Sequence, residues 1–309
     1  MMVQAYSNLM KEIVKGKFVY TGELEPEKTT DMTQVISDAK ELAGYAVACN
    51  VTDNPKSCGY LSSLAASYLV QRDANMETVY QLTCRDRNRL ALISDLLGAG
   101  ALGIKNVLAL TGDHTMVGDN PASKPVFDLD SAQLTSLIKM MSEKEEDLAG
   151  SKIEHPPKLN VGVAANPNAD PLEPELLKLE RKAKAGADFV QTQVVFDIEK
   201  AKNFLKEASG FGVPLLIGIF PLKNYGIADF FNKNVPGCSV PTGLLDKLKQ
   251  LKEGIQDKEE RKRKTDEMNV EYFTNFIKEL KKTKGCRGVH VMAVGYASVT
   301  KQLIDRVGH

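Results

Sequence analysis

The chain has 309 residues, 43% of them hydrophobic and 26% charged, and its 40 Lys and Arg cancel its 40 Asp and Glu. No global charge therefore draws it to nucleic acid or to an anionic membrane, and no apolar run approaches the roughly 20 residues of a membrane span. The N-terminal MMVQAYSNLMKEIVKGK lacks the apolar core of a signal peptide, and five widely spaced cysteines without a C-x-x-C pair argue for reduced thiols in a cytoplasmic protein.

Short apolar, β-branched runs recur along the chain and predict strands. They are FVYTGEL (18–24), YAVACNVTD (45–53), TVYQLTC (78–84), NVLALTGD (106–113), LNVGVAANP (159–167), DFVQTQVVFD (188–197), VPLLIGIFP (213–221) and GVHVMAVG (288–295). Helical patterns fall between them. The first covers 31–44, with Asp31 as a cap and Gly44 as a stop; others cover 60–72, 87–100, 131–150, 174–187, 198–210 and 297–308. Strand–helix alternation repeated eight times predicts an α/β protein, a (β/α)8 TIM barrel, as a single domain over 1–309. A doubly wound open sheet would carry fewer strands, and no G-x-G-x-x-G follows the first one.

Two regions are additions. Residues 114–130 form a Gly/Pro/Asp-rich loop after the fourth strand. Residues 234–287 add helical segments, and there Tyr272, Phe273, Phe276, Ile277 and Leu280 share one helix face. That face is expected to dock on the barrel wall, with the RKRK run and its flanking acids in solvent.

Barrels of this kind gather chemistry at the C-terminal ends of their strands. Those ends carry Glu23, then Thr52, Asp53 and Asn54, then Gln81 and Thr83. Thr111, Gly112 and Asp113 end the fourth strand, Asn166 the fifth, and Gln191, Thr192 and Gln193 the sixth. Polar groups aimed inward without partners cost roughly 1–3 kcal/mol each, so their convergence implies binding or catalysis. Singly, each has a plainer reading: Glu23 as a surface acid, Asp113 as a turn cap, Gln193 facing a helix, Cys84 as core. His114, His155, His290 and His309 have no metal-ligand spacing, and no metal site is expected. Lys105 and Lys158 precede strands, the wrong end for Schiff-base chemistry. No P-loop, G-x-S-x-G or H-E-x-x-H occurs. On the 174–187 helix Glu175 and Lys182 are seven apart, about 10.5 Å along the axis on one face. That separation suits a ribose hydroxyl and a phosphate of one nucleotide; a solvated charged face is the alternative.

With these residues in place, the sequence resembles the methylenetetrahydrofolate reductase family, flavin-dependent (β/α)8 barrels. The likeness runs from about residue 18 to the C-terminus, through GELEP (22–26), QLTCRD (81–86), LALTGD (108–113), AANP (164–167), LERKAKAGAD (179–188), QTQVVFD (191–197), GIFPLKNY (218–225) and GVHVM (288–292). The resemblance implies reduction of 5,10-methylenetetrahydrofolate to 5-methyltetrahydrofolate by hydride transfer from reduced flavin. It makes Glu23 the general acid, Asp113 the carboxylate between flavin and pterin, and Gln193 the amide orienting folate or nicotinamide. Thr52 falls on the nicotinamide side and Gln81 against the flavin. Thr111, Gly112 and Asn166 fall among the cofactor contacts, Arg181 and Lys182 match flavin phosphate contacts, and Glu175 a ribose contact. Phe231 and Tyr296 fall on substrate positions. Three positions depart from the family pattern: Thr111 replaces an Arg, Asn166 a Tyr, and Tyr296 a substrate-contacting Arg. The cofactor implied is FAD, with FMN as the alternative because contacts to the adenylate half are weakened. The donor implied is NAD(P)H or a partner redox protein, in an oligomer or a complex. A pterin-binding methyltransferase without flavin and a non-catalytic subunit of a redox complex, docking through 256–284, remain as other readings.

Overall fold

The structure, a computed structural model, describes residues 4–235 and 237–308; His309 lies outside them. Eight parallel strands close into a barrel in chain order: β1 (Val19–Leu24), β2 (Ala48–Val51), β3 (Thr78–Thr83), β4 (Asn106–Leu110), β5 (Asn160–Ala165), β6 (Phe189–Val194), β7 (Leu215–Ile219) and β8 (Cys286–Val291). Closure is made by β1 against β8, with Thr21 opposite His290. The helices are α1 (Asn8–Val14), α2 (Thr33–Leu42), α3 (Ser63–Ala74), α4 (Arg89–Ala101), α5 (Ser131–Lys139), α6 (Glu173–Lys184), α7 (Ile198–Ala208), α8 (Tyr225–Asn234), α9 (Thr242–Gly254), α10 (Lys258–Lys282) and α11 (Ala297–Val307).

Period two along each strand divides the side chains between wall and interior. Outward residues bury against helices: Cys49 and Val51 with Val35, Ala39 and Val70; Tyr80, Leu82 and Val107 with Leu92, Leu96 and Leu137; Ile217, Val289 and Val291 with Phe204, Phe273 and Leu303. The aromatic face predicted on α10 docks as expected, with Phe273, Phe276, Ile277 and Leu280 buried. Inward residues Val19, Ala48, Val79, Leu108, Phe189 and Leu216 fill the bottom of the barrel. Leu9, Met10 and Ile13 of α1 join this cluster from below and plug it. The plug is pinned because the Glu77 carboxylate accepts from the N–H groups of Asn8 (2.7 Å) and Leu9 (2.9 Å) at its first turn.

One helix is shorter than its sequence pattern. The 131–150 stretch is α-helical only to Lys139, turns once as a π-helix over Met140–Lys144, and stops at Glu145 with φ 61°. The EKEED run over 143–147, where the helix ends, offers no apolar side chain to hold it on the barrel.

Packing at the floor is tight enough to test. A Cβ on Gly162 of β5 would stand 2.4 Å from the Phe189 ring. Gly162→Ala is expected to cost about 1–3 kcal/mol through forced displacement of that ring, a fall of roughly 2–10 °C in Tm at this chain length. An unchanged melting curve would show that Phe189 yields freely.

Candidate active site

Above the apolar floor the barrel interior turns polar. Thr21, Asn50, Gln191 and His290 point inward from β1, β2, β6 and β8, each at most 3% exposed. Gln191 and Asn50 exchange amide hydrogen bonds of 2.7 and 3.0 Å. Gln191 Nε2 also donates to Thr21 Oγ1 at 3.1 Å, and Thr21 Oγ1 lies 3.0 Å from His290 Nδ1. Immediately above, Glu23 Oε2 lies 3.3 Å from His290 Nε2. Glu23 is thus the top of a buried polar column and faces the open mouth. Glu25, one turn of the pleat further, is raised above the usual carboxylate range by burial and then by Glu23.

Around the rim stand groups with spare hydrogen-bonding capacity. Thr52 is 4% exposed, yet its Oγ1 has no partner among the described residues. Gln81 on β3 is half-buried and Gln193 on β6 is exposed, and neither side chain is engaged by a described residue. Asp53 turns away from the mouth into an ion cluster: it accepts from Thr83 N and Oγ1 (2.9 and 2.8 Å) and from Arg87 Nη1 (2.7 Å).

The turn after β4 is built on Gly112, whose φ of +93° excludes most side chains and whose added Cβ would meet Arg85 Cβ at 3.0 Å. Asp113 follows with an exposed carboxylate. Its backbone carbonyl accepts from Ser57 Oγ (2.9 Å) and from Arg85 Nη1 (3.3 Å). Arg85 is 2% exposed, donates also to Ser57 Oγ and Asn54 O, and pairs bidentately with Asp86. This one guanidinium ties the loops after β2, β3 and β4 together. Thr111 points elsewhere, its Oγ1 accepting from Ser131 N at the start of α5 (3.2 Å).

At the end of β5, Asn166 N donates to Glu175 Oε1 (2.9 Å), and Lys182 Nζ donates to Ala164 O (2.8 Å). Glu175 and Lys182 therefore both reach the strand end from α6, as their spacing predicts. Burial lowers the Lys182 pKa, and the attraction of Glu175 only partly offsets it. Arg181 is turned aside to Asp130, the cap of α5, at 3.2 Å. Phe231 of α8 packs edge-on against Phe220 and Phe196, with centroids 4.9 and 5.4 Å away. Tyr296 is 6% exposed and its hydroxyl donates to Asp266; Lys223 Nζ lies 5.7 Å over its ring.

The parts played by Arg85 and His290 carry no clear signal in the sequence, where His290 stands only as a histidine without metal-ligand spacing. Arg85 stands inside the quoted QLTCRD, and an Arg next to an Asp on a loop reads as surface. Among the described residues no group of three or more His, Cys, Asp or Glu is arranged to hold a metal, and no helix is long and apolar enough to cross a membrane.

A closed (β/α)8 barrel with an acid, two amides and a hydroxyl unpartnered among the described residues, and a half-buried cation around its C-terminal mouth has the layout on which barrel enzymes place their chemistry. The family model for methylenetetrahydrofolate reductase matches residues 8–308, and the chain belongs to that family. A Schizosaccharomyces pombe protein named methylenetetrahydrofolate reductase 2 is 27% identical over 88% of this chain and 42% of its own length. The 5,10-methylenetetrahydrofolate reductase of Pectobacterium carotovorum is 26% identical over 69% of this chain and 67% of its own. This chain spans less than half the length of the first relatives, 42% and 46%. A solved structure described as an uncharacterized Clostridium thermocellum protein that binds two copies of 5-methyl-5,6,7,8-tetrahydrofolic acid shares the fold. It has a TM-score of 0.63 at 15% identity and covers 97% of this chain and 99% of its own.

Proposed function

We propose that this chain, as one barrel domain with the helical segment 234–287 (α9 and α10) added, reduces 5,10-methylenetetrahydrofolate to 5-methyltetrahydrofolate with a bound flavin. The observation that carries the reading is Glu23: a carboxyl at the barrel mouth, one oxygen held from below and the other without a partner among the described residues. The residues present fit a flavin. Among the described residues Thr52 offers a buried hydroxyl without a partner and Gln81 and Gln193 offer amides that none of them engages, while Lys182 is a half-buried cation at the end of β5. A folate ligand in a structure of the same fold agrees with the substrate.

When bound, the flavin supplies the hydride. Glu23 hands its proton to the departing nitrogen as the methylene bridge opens, and the cation so formed sits beside the Asp113 carboxylate, which lowers its energy. Gln193 orients the pterin, and Phe231 packs on its apolar side. Lys182 and Arg181 would hold the flavin phosphate, and Glu175 a ribose hydroxyl. FAD is the cofactor by family likeness. FMN is the alternative, because Thr111 is engaged by Ser131 N and Asn166 Oδ1 by Asn168 N (3.0 Å), leaving little for an adenylate half. The donor is NAD(P)H or a partner redox protein, in an oligomer or a complex, and the five free thiols suit the cytosol.

An absorbance spectrum of the purified protein, with the released cofactor identified by mass, tests the reading. Flavin bands, bleached by a reductant and restored by methylenetetrahydrofolate, are the expected result. A protein that stays colourless after reconstitution with FAD or FMN would sink it and promote a methyltransferase without flavin.

A further inference from the structure

Glu23 is served from beneath by a chain of side chains that the chemistry above does not use. Each member fixes the next. The two N–H groups of Gln191 Nε2 are spent on Asn50 Oδ1 (3.0 Å) and Thr21 Oγ1 (3.1 Å). Among the described residues the Thr21 hydroxyl, which accepts from Gln191, has one acceptor within reach for its own proton, His290 Nδ1 at 3.0 Å, and donating there satisfies both groups. That makes Nδ1 the acceptor and leaves the ring proton on Nε2, directed at Glu23 Oε2 at 3.3 Å. Thr21 and Asn50 are fully buried and Gln191 and His290 are 3% exposed, so water does not compete for these bonds.

We propose that His290 is a positioning residue for Glu23: by donating to Oε2 it confines the acid proton to Oε1, the oxygen facing the mouth. A carboxylic acid carries its proton on either oxygen. One that accepts from an N–H on Oε2 carries it on the other. After the proton leaves, the same N–H stabilises the carboxylate left behind. Thr21, Gln191 and Asn50 act one step further back, by holding the imidazole in the Nε2–H tautomer.

The kinetic test rests on the function proposed above. Holoenzyme reduced with dithionite is mixed with methylenetetrahydrofolate, and flavin reoxidation is followed in a single turnover. His290→Leu and Thr21→Val are expected to slow this step by about 10- to 100-fold, a part of the roughly 10²–10⁴-fold a general acid supplies. Thr21→Ser, which keeps the hydroxyl, should restore the rate. Because His290 works through Glu23, His290→Leu should slow the step no further in a Glu23→Gln background. Equal slowing in both backgrounds would make His290 merely structural and overturn the proposal, as would a full rate in His290→Leu.

A second readout needs no turnover and separates the two readings. Nitrogen-15 imidazole shifts of the flavin-loaded protein should show His290 protonated at Nε2 and bare at Nδ1, with the Nε2 proton moving in Glu23→Gln. An Nδ1–H tautomer, or a resonance indifferent to Glu23, overturns the proposal even if the parent protein proves inactive on folate. Inactivity of the parent with the expected tautomer would instead remove only the proposed function.

Discussion

Glu23→Gln will slow reoxidation of the reduced flavin by methylenetetrahydrofolate by roughly 10²–10⁴-fold and leave the flavin bound. The amide matches the carboxyl in shape, and its oxygen can still accept from His290 Nε2, so the column beneath keeps its bonds. What it lacks is an acidic proton at the mouth. Flavin content and Tm should stay near those of the parent, because Glu23 contacts the polar column and not the β5–α6 region where the phosphate is proposed to sit. Rapid mixing of the reduced variant with substrate measures the effect directly. A rate within a few-fold of the parent would take the acid role away from Glu23.

Lys182→Met should have opposite effects on the empty and the loaded protein. The Lys182 ammonium is half-buried and donates to one carbonyl, Ala164 O, and its partial burial pulls its pKa down. Between this lowered pKa and the ordinary lysine value the unfolded chain binds more protons than the folded one. The contribution of Lys182 to stability therefore rises with pH through that window, and the charge is a burden below it. Methionine keeps most of the stem and removes the burden, so the apoprotein should melt no lower than the parent at neutral pH. Flavin affinity should fall by about 10- to 150-fold, the worth of one hydrogen bond from a charged donor at 1.5–3 kcal/mol. Titration of apoprotein with FAD and FMN, followed by flavin fluorescence, gives the comparison. Unchanged affinity for both would move the phosphate away from α6.

The strands were legible because each wall residue alternates with an interior one, and the helices because their apolar stripes recur at 3.6 residues. Residues at strand ends were legible for the same reason: where an apolar run stops, the next polar group stands at the rim. The partners of those residues were not. His290 lies 267 positions from Glu23, and only the closure of β8 on β1, which sets Thr21 opposite His290, brings them together. A lone histidine in an apolar run carries no local sign of that register. The Arg85 tie depends on three loops meeting, and Gly118 shows how closely: a Cβ there would stand 1.9 Å from Ser57 O. The α1 plug was hidden because a helix of 7 residues shows too few turns for its apolar face to be recognised as a pattern.

Both ends of the described chain are anchored at the bottom of the barrel. Gln4 O accepts from Asn160 Nδ2 (2.7 Å) at the start of β5, and Gly308 O accepts from Tyr20 at the start of β1 (2.9 Å) and from Lys281 (2.7 Å). Both ends thus lie on the underside, a full barrel height from Glu23 and Gln193. A tether joined to the chain through Gln4 or Gly308 would leave from the face opposite the mouth. Immobilised preparations should keep free access for small molecules, and two barrels fused end to end would leave both openings clear.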